Sequence, residues 1–135
     1  MNKKYLTQVI LFFSLIITLL SCNKKNEDNS TCLSFTKAPV TKIEGANSAL
    51  VNQEVILTVS FGCFNGCGRF GNFDEVITGN ATTITVNAKY EGCICTQDIP
   101  IRQTTYKFKK SQTGTFDLKF LQTENTYFTH TIIVQ

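Results

Sequence analysis

The sequence predicts an all-β protein: a single antiparallel sandwich of about seven strands, behind an export signal and a polar tether. Three observations predict it. Apolar residues recur with period two over the last hundred residues, turn-forming pairs separate the alternating runs, and no window offers a convincing amphipathic helix. At 135 residues the chain suits one domain and is too short for two ordinary ones. The expected boundaries are 1–21 for the signal, 22–37 for a cysteine and polar tether, and 38–135 for the folded domain.

Taken in order, Asn2, Lys3 and Lys4 form a short positive start before the apolar run from Val9 to Leu20, which only Ser14 and Thr18 interrupt. A membrane-spanning helix needs roughly 20 apolar residues, so a run of this length has the dimensions of a signal-peptide core instead. It ends in Leu19-Leu20-Ser21-Cys22. That sequence resembles a bacterial lipobox, and the resemblance implies cleavage before Cys22 and acylation of that cysteine. An ordinary secretory signal, leaving Cys22 a plain thiol, is the competing reading. Acyl chains add about 0.8 kcal/mol of membrane affinity per buried methylene, and more than one chain anchors a protein stably. The implied location is the outer membrane of a bacterium, with the domain facing the periplasm or the cell surface.

The segment from Asn23 to Thr31 (NKKNEDNST) is polar and without hydrophobic periodicity, as a tether is. Its lysines followed by Glu27 and Asp28 resemble the surface-export signals that follow the lipid cysteine in small lipoproteins of the Bacteroidota. A plain solvated linker accounts for them equally well.

The first strand is expected near Val40 to Gly45. The second carries Val55, Leu57, Val59 and Phe61 on one face, and a third lies near Arg69 to Ile77. The fourth alternates through Ile84, Val86, Ala88 and Tyr90, the fifth through Tyr106 and Phe108, and the sixth through Phe116, Leu118 and Phe120. Such alternation suits half-buried strands, whose successive side chains point to opposite faces. Thr126 to Val134 completes the set, with either face able to be the buried one. Asn65-Gly66, Gly79-Asn80, Gly114 and Glu124-Asn125 mark the turns. The stretch from Thr105 to Val134 resembles the last three strands of an immunoglobulin-like domain, which implies an Ig-like sandwich. Two departures exclude an antibody-type domain: the sequence has no Trp, and Phe116 stands where a corner tyrosine would place its hydroxyl.

Composition removes several functions. Lys plus Arg is 13 and Asp plus Glu is 10; without Lys3 and Lys4 the balance is 11 to 10, or +1, which is no nucleic-acid footprint. A single histidine, His130, excludes a blue-copper centre and leaves no His-based triad. Asp74 and Glu75 are adjacent on a strand and face opposite ways, so they cannot flank one bond, and Glu124 has no partner. The reading is non-enzymatic, with no cofactor. Asn80-Ala81-Thr82 matches a glycosylation acceptor but means little behind a bacterial lipobox.

The cysteines are the main chemical signal. Beyond Cys22 there are Cys32, Cys63, Cys67, Cys93 and Cys95. Alternating strand directions bring the connections after the second and fourth strands to one end, and the first strand starts there too. Five sulfurs should therefore gather at one pole. In an exported protein these are disulfide candidates: two bridges and one thiol left over, with Cys67 expected to cross to Cys93 or Cys95. The alternative is a thiolate metal site from Cys63, Cys67, Cys93 and Cys95, or thiol exchange through Cys93-x-Cys95. The Cys-x-Cys spacing is too tight for the common zinc pattern.

Phe64, Arg69, Phe70 and Phe73 lie in or beside a loop with Gly62, Gly66, Gly68 and Gly71, a candidate recognition loop. At least two of the rings are expected to cap the core, and the glycines to supply special backbone angles. Lys107, Lys109, Lys110 and Lys119 offer a basic stripe, or simply keep strands soluble. The favoured function is a lipid-anchored envelope module, binding or structural, whose partner is a protein or a glycan; the alternative is a metal- or thiol-handling lipoprotein.

Overall fold

The computed structural model describes residues 32–135. The signal segment, Cys22 and the first part of the tether lie outside them. Among the described residues there are nine strands and no helix: β1 (Leu33–Ala38), β2 (Val40–Glu44), β3 (Ser48–Ala49), β4 (Val55–Gly62), β5 (Gly68–Thr78), β6 (Ala81–Glu91), β7 (Ile101–Phe108), β8 (Gly114–Thr123) and β9 (Thr126–Val134).

They form a β-sandwich. One sheet has the order β2-β4-β7; the other holds β5, β6, β1, β8, β9 and β3. β6 is the spine of the larger sheet. Along one edge it pairs with β5 in a long hairpin. β1 takes Val86–Glu91 antiparallel and β8 takes Ala81–Ile84 parallel. β8 then pairs with β9.

The tether expected to run to residue 37 ends earlier, because Leu33–Ala38 is already a strand on β6. Its side chains are mostly exposed, so the hydrophobic pattern there is weak. The expected first strand is β2, one residue further along. Pro39 separates the two. Lacking an N–H, proline cannot continue the ladder with β6. The chain crosses there to the other sheet, where the Pro39 carbonyl accepts from the Gly62 N–H. A second difference is pairing direction. β6 lies in one sheet, β7 in the other, and β8 back in the first, so β8 runs the same way as β6 and the two pair in parallel. β3 and β9 form a second, short parallel pair.

The alternating residues make the core. Leu57, Val59, Phe61, Ile84, Val86, Ala88 and Phe120 are fully buried, with Tyr106, Phe108, Phe116 and Leu118 beside them. In β9 the buried face is Ile132 and Val134. Tyr106 bridges the layers edge-on, its centroid 5.2 Å from Phe73 and 5.4 Å from Phe120. Burial and the neighbouring Glu75 carboxylate push its hydroxyl pKa well up.

Candidate functional site

β4, β6 and β7 set the site. β4 ends and β5 starts at one pole of the sandwich, where β6 also ends and β7 begins, so residues 63–67 and 92–100 meet there. The two connections are knit by backbone hydrogen bonds from Gly66 N–H to the Thr96 carbonyl and from Cys63 N–H to the Pro100 carbonyl, each at 3.0 Å, and Gly92 N–H ties the second of them to the Cys32 carbonyl at 2.9 Å. The Asn65 side chain accepts from the Cys67 N–H, the local bond that closes the Asn65-Gly66 turn.

Two disulfides cross the pole. Cys32 is bonded to Cys93, and Cys67 to Cys95. Cys63 is free and fully buried. Burial pushes its thiol pKa up, against the Tyr90 hydroxyl that hydrogen-bonds it and the Arg102 and Arg69 charges. The thiolate alternative built on Cys63, Cys67, Cys93 and Cys95 thus has three of its four sulfurs in disulfides. Among the described residues no group of three or more His, Cys, Asp or Glu side chains is placed to hold a metal ion.

Two arginines hold the loop from below. Arg69 donates to the Gly66 and Gly68 carbonyls at 2.9 and 2.8 Å, and Arg102 donates to the same two oxygens at 3.2 Å each. Arg69 is therefore a brace for the loop, and Arg102 is a second brace that no sequence motif marks. The Thr96 hydroxyl donates to the Asp98 carboxylate and holds its pKa below the usual range.

The candidate recognition residues divide. Phe70 and Phe73 pack against the core, with Phe70 on Phe61 at 6.2 Å and on Phe73 at 4.7 Å. Phe64 stays exposed; its ring stacks on Tyr90 at 6.1 Å and its N–H donates to the Tyr90 hydroxyl at 2.8 Å. The glycines do not serve unusual backbone angles as expected: Gly62, Gly66, Gly68 and Gly71 are not among the residues of positive φ. Gly68 serves close approach instead, since a Cβ there would lie 2.5 Å from Cys63 Cβ and 2.9 Å from the Tyr90 ring.

Phe64 lines three depressions. One of about 430 Å³ also touches Cys32, Leu33 and Tyr90; one of about 600 Å³ lies over Cys93, Ile94 and Ile99; a third of about 380 Å³ reaches Pro39 and Tyr127. Ile94, held between two bridged cysteines, is 96% exposed, and Ile99 is 74% exposed. Sequence reasoning passed over both isoleucines. A signal for Ile94 was present: when both residues of a Cys-x-Cys are turned into bridges, the residue between them is left pointing outward.

The other candidates lie apart from this pole. Lys107 is on an outward position of β7 and pairs with Glu54 at 3.3 Å, while Lys119 is on an outward position of β8 in the opposite sheet. Lys110 sits over the Phe108 and Phe116 rings. These lysines form no single stripe. His130 bonds the Ala46 carbonyl at 3.0 Å, and Asp74 accepts from Asn72 and Asn87.

Residues 57–134 match the family model described as the ORF11 beta-sandwich domain. The match runs from β4 to the end of β9 and includes the Cys67–Cys95 bridge; β1, β2, β3 and Cys32 lie outside it. No curated protein and no solved structure matches the chain.

Proposed function

The chain belongs to the ORF11 beta-sandwich domain family, and on that scaffold we propose a lipid-anchored module of the bacterial cell envelope, binding or structural in role and without catalytic activity of its own. Acylation at Cys22 supplies the anchor, on the outer membrane of a bacterium resembling the Bacteroidota in its lipoproteins. The working end is the disulfide pole.

One observation carries this reading. Two bridges and two braced carbonyls hold a loop pair rigid, and that rigid pair presents apolar side chains rather than a reactive group. A rigid surface spends little conformational entropy when it binds. The groove over Cys93 sets Phe64, Ile94 and Ile99 beside Asn65, Thr96 and Gln97, a mixed lining that suits a protein or a glycan partner. The reading without catalysis is supported by the bonds that already engage His130 and Asp74 and by the burial of Cys63, the one free thiol among the described residues.

The test is chemical. The full chain, expressed in a bacterial host, should carry acyl chains on an N-terminal Cys22 by intact mass and float with membranes. The Cys22→Ala variant should lose both properties. An unmodified Cys22 in a chain cut elsewhere would defeat the anchor reading.

A further inference from the structure

We propose that the disulfide pole rests on the lipid surface itself, with Ile94 and Ile99 entering the interface of the bilayer that holds the anchor. This rests on the reading of Cys22 as acylated and names the partner of the same pole.

Exposed apolar area alone does not choose between the ends. Ile94, Ile99, Leu33 and Phe64 are exposed at the disulfide pole, and Leu50, Val76 and Ile77 at the other. The chain itself decides. Cys32 is bonded to Cys93, the residue next to Ile94, so the segment leading back to Cys22 leaves the domain beside this tip. Ten residues span at most about 33–36 Å when drawn straight. The β5–β6 hairpin has eleven residues per strand, which at about 3.3 Å per residue makes the sandwich roughly as long as that limit. The far end could reach the bilayer only with the linker pulled taut along the whole domain. The near end reaches it at any extension.

The tip is built for such a contact. Residues 93 and 95 are both bridged, so Ile94 projects from a fixed base; its neighbours Thr96 and Gln97 are uncharged, and the charged group of the tip is the Asp98 carboxylate beside Ile99. Apolar side chains on a polar rim are what an interfacial contact uses: the side chains enter the acyl boundary while the polar groups of the rim stay among the headgroups.

The sequence contains no tryptophan, so a single introduced one reports its own surroundings. The full, processed chain is reconstituted into vesicles of phosphatidylethanolamine and phosphatidylglycerol, with and without brominated acyl chains. Three variants are compared: Ile94→Trp, Ile99→Trp, and Ile77→Trp at the far end. Acylation is read by intact mass and attachment by flotation. The expected result is a blue-shifted emission, with intensity lost to bromine, for Ile94→Trp and Ile99→Trp, and neither change for Ile77→Trp. An acylated, floating chain in which all three variants behave alike overturns the proposal while leaving the anchor standing. A chain without acyl mass that does not float overturns both.

Discussion

The two ends of the sandwich are closed by different forces. At the far end, short connections close chiefly through the backbone: Val51 N–H bonds the Gln135 carbonyl, Asn52 N–H the Lys110 carbonyl, and Asp117 N–H the Asn80 carbonyl, with one side-chain bond from Leu50 N–H to Gln53. Asn52 at φ 65° and Gly79 at φ 59° supply the left-handed residues that such tight turns require. At the other end, the chain from Gly92 to Pro100 has no regular structure and buries almost nothing. Hydrophobic burial cannot hold a segment like that, and there the disulfides stand. The contrast teaches where covalent links are useful in a small domain: at the loops that the core does not reach.

The core beneath both ends sets the upper limit of any single substitution. Phe120→Ala, at a fully buried position, should cost about 3–5 kcal/mol and lower the stability of both ends together. Urea denaturation read by fluorescence and by far-UV signal should show one coincident transition.

Breaking a bridge should act on one end. The Cys67→Ala/Cys95→Ala pair should lose about 2–4 kcal/mol, with hydrogen exchange faster in residues 92–100 than around Gly79. The two bridges differ in span: 28 residues for Cys67–Cys95 and 61 for Cys32–Cys93. If they act by restricting the unfolded chain, the longer one contributes roughly 0.7 kcal/mol more. Equal or reversed losses in paired urea midpoints would show that native contacts of β1, rather than loop entropy, dominate.

A glycine at each end gives a finer comparison. Gly68→Ala drives a methyl group into Cys63 and the Tyr90 ring, and overpacking of this kind costs about 1–3 kcal/mol. At Gly79 no atom lies near the added Cβ and only the backbone angle is demanding. Asparagine tolerates that angle, so Gly79→Asn should cost less than Gly68→Ala. Thermal melts of the two variants decide it.

The strands were legible because the core is built from alternation. Val55 to Phe61, Thr82 to Tyr90 and Phe116 to Phe120 each place every second residue inside, and period two survives any detail of topology. β1 was hidden because its residues stay mostly exposed; what holds it is a partner strand and Cys32, and neither is a local signal. The parallel pairing of β6 and β8 was hidden for a related reason, since sheet membership is a property of the whole path. At the pole, the cysteines and Phe64 could be seen in the sequence. Arg102 could not: its role depends on two carbonyls more than thirty residues away. Gly66, Gly68 and Gly71 were visible, but a conformational need and a close approach leave the same residue type, and here the cause is close approach.

The smallest expected effect separates two buried ionisable groups by pH. Cys63 at the disulfide pole and Tyr106 in the middle of the core both have pKa values raised in the folded protein, from ordinary values of 9.0 and 10.0. A raised value means the folded protein keeps a proton that the unfolded chain releases. Stability is therefore full below the unfolded value and declines as pH rises towards the folded one. Between pH 9 and 10 the decline belongs chiefly to Cys63, and above pH 10 Tyr106 adds to it. Cys63→Ala should flatten the dependence between pH 9 and 10 and leave the steeper part above; Tyr106→Phe should do the converse. Slopes of urea midpoint against pH, rather than absolute stabilities, are the quantity to compare, because either substitution also changes packing. If both slopes persist in both variants, neither group carries the alkaline loss. In the unfolded chain the Cys63 thiolate can also attack the bridges, so Cys63→Ala, which lacks it, should unfold reversibly at alkaline pH where the parent chain does not.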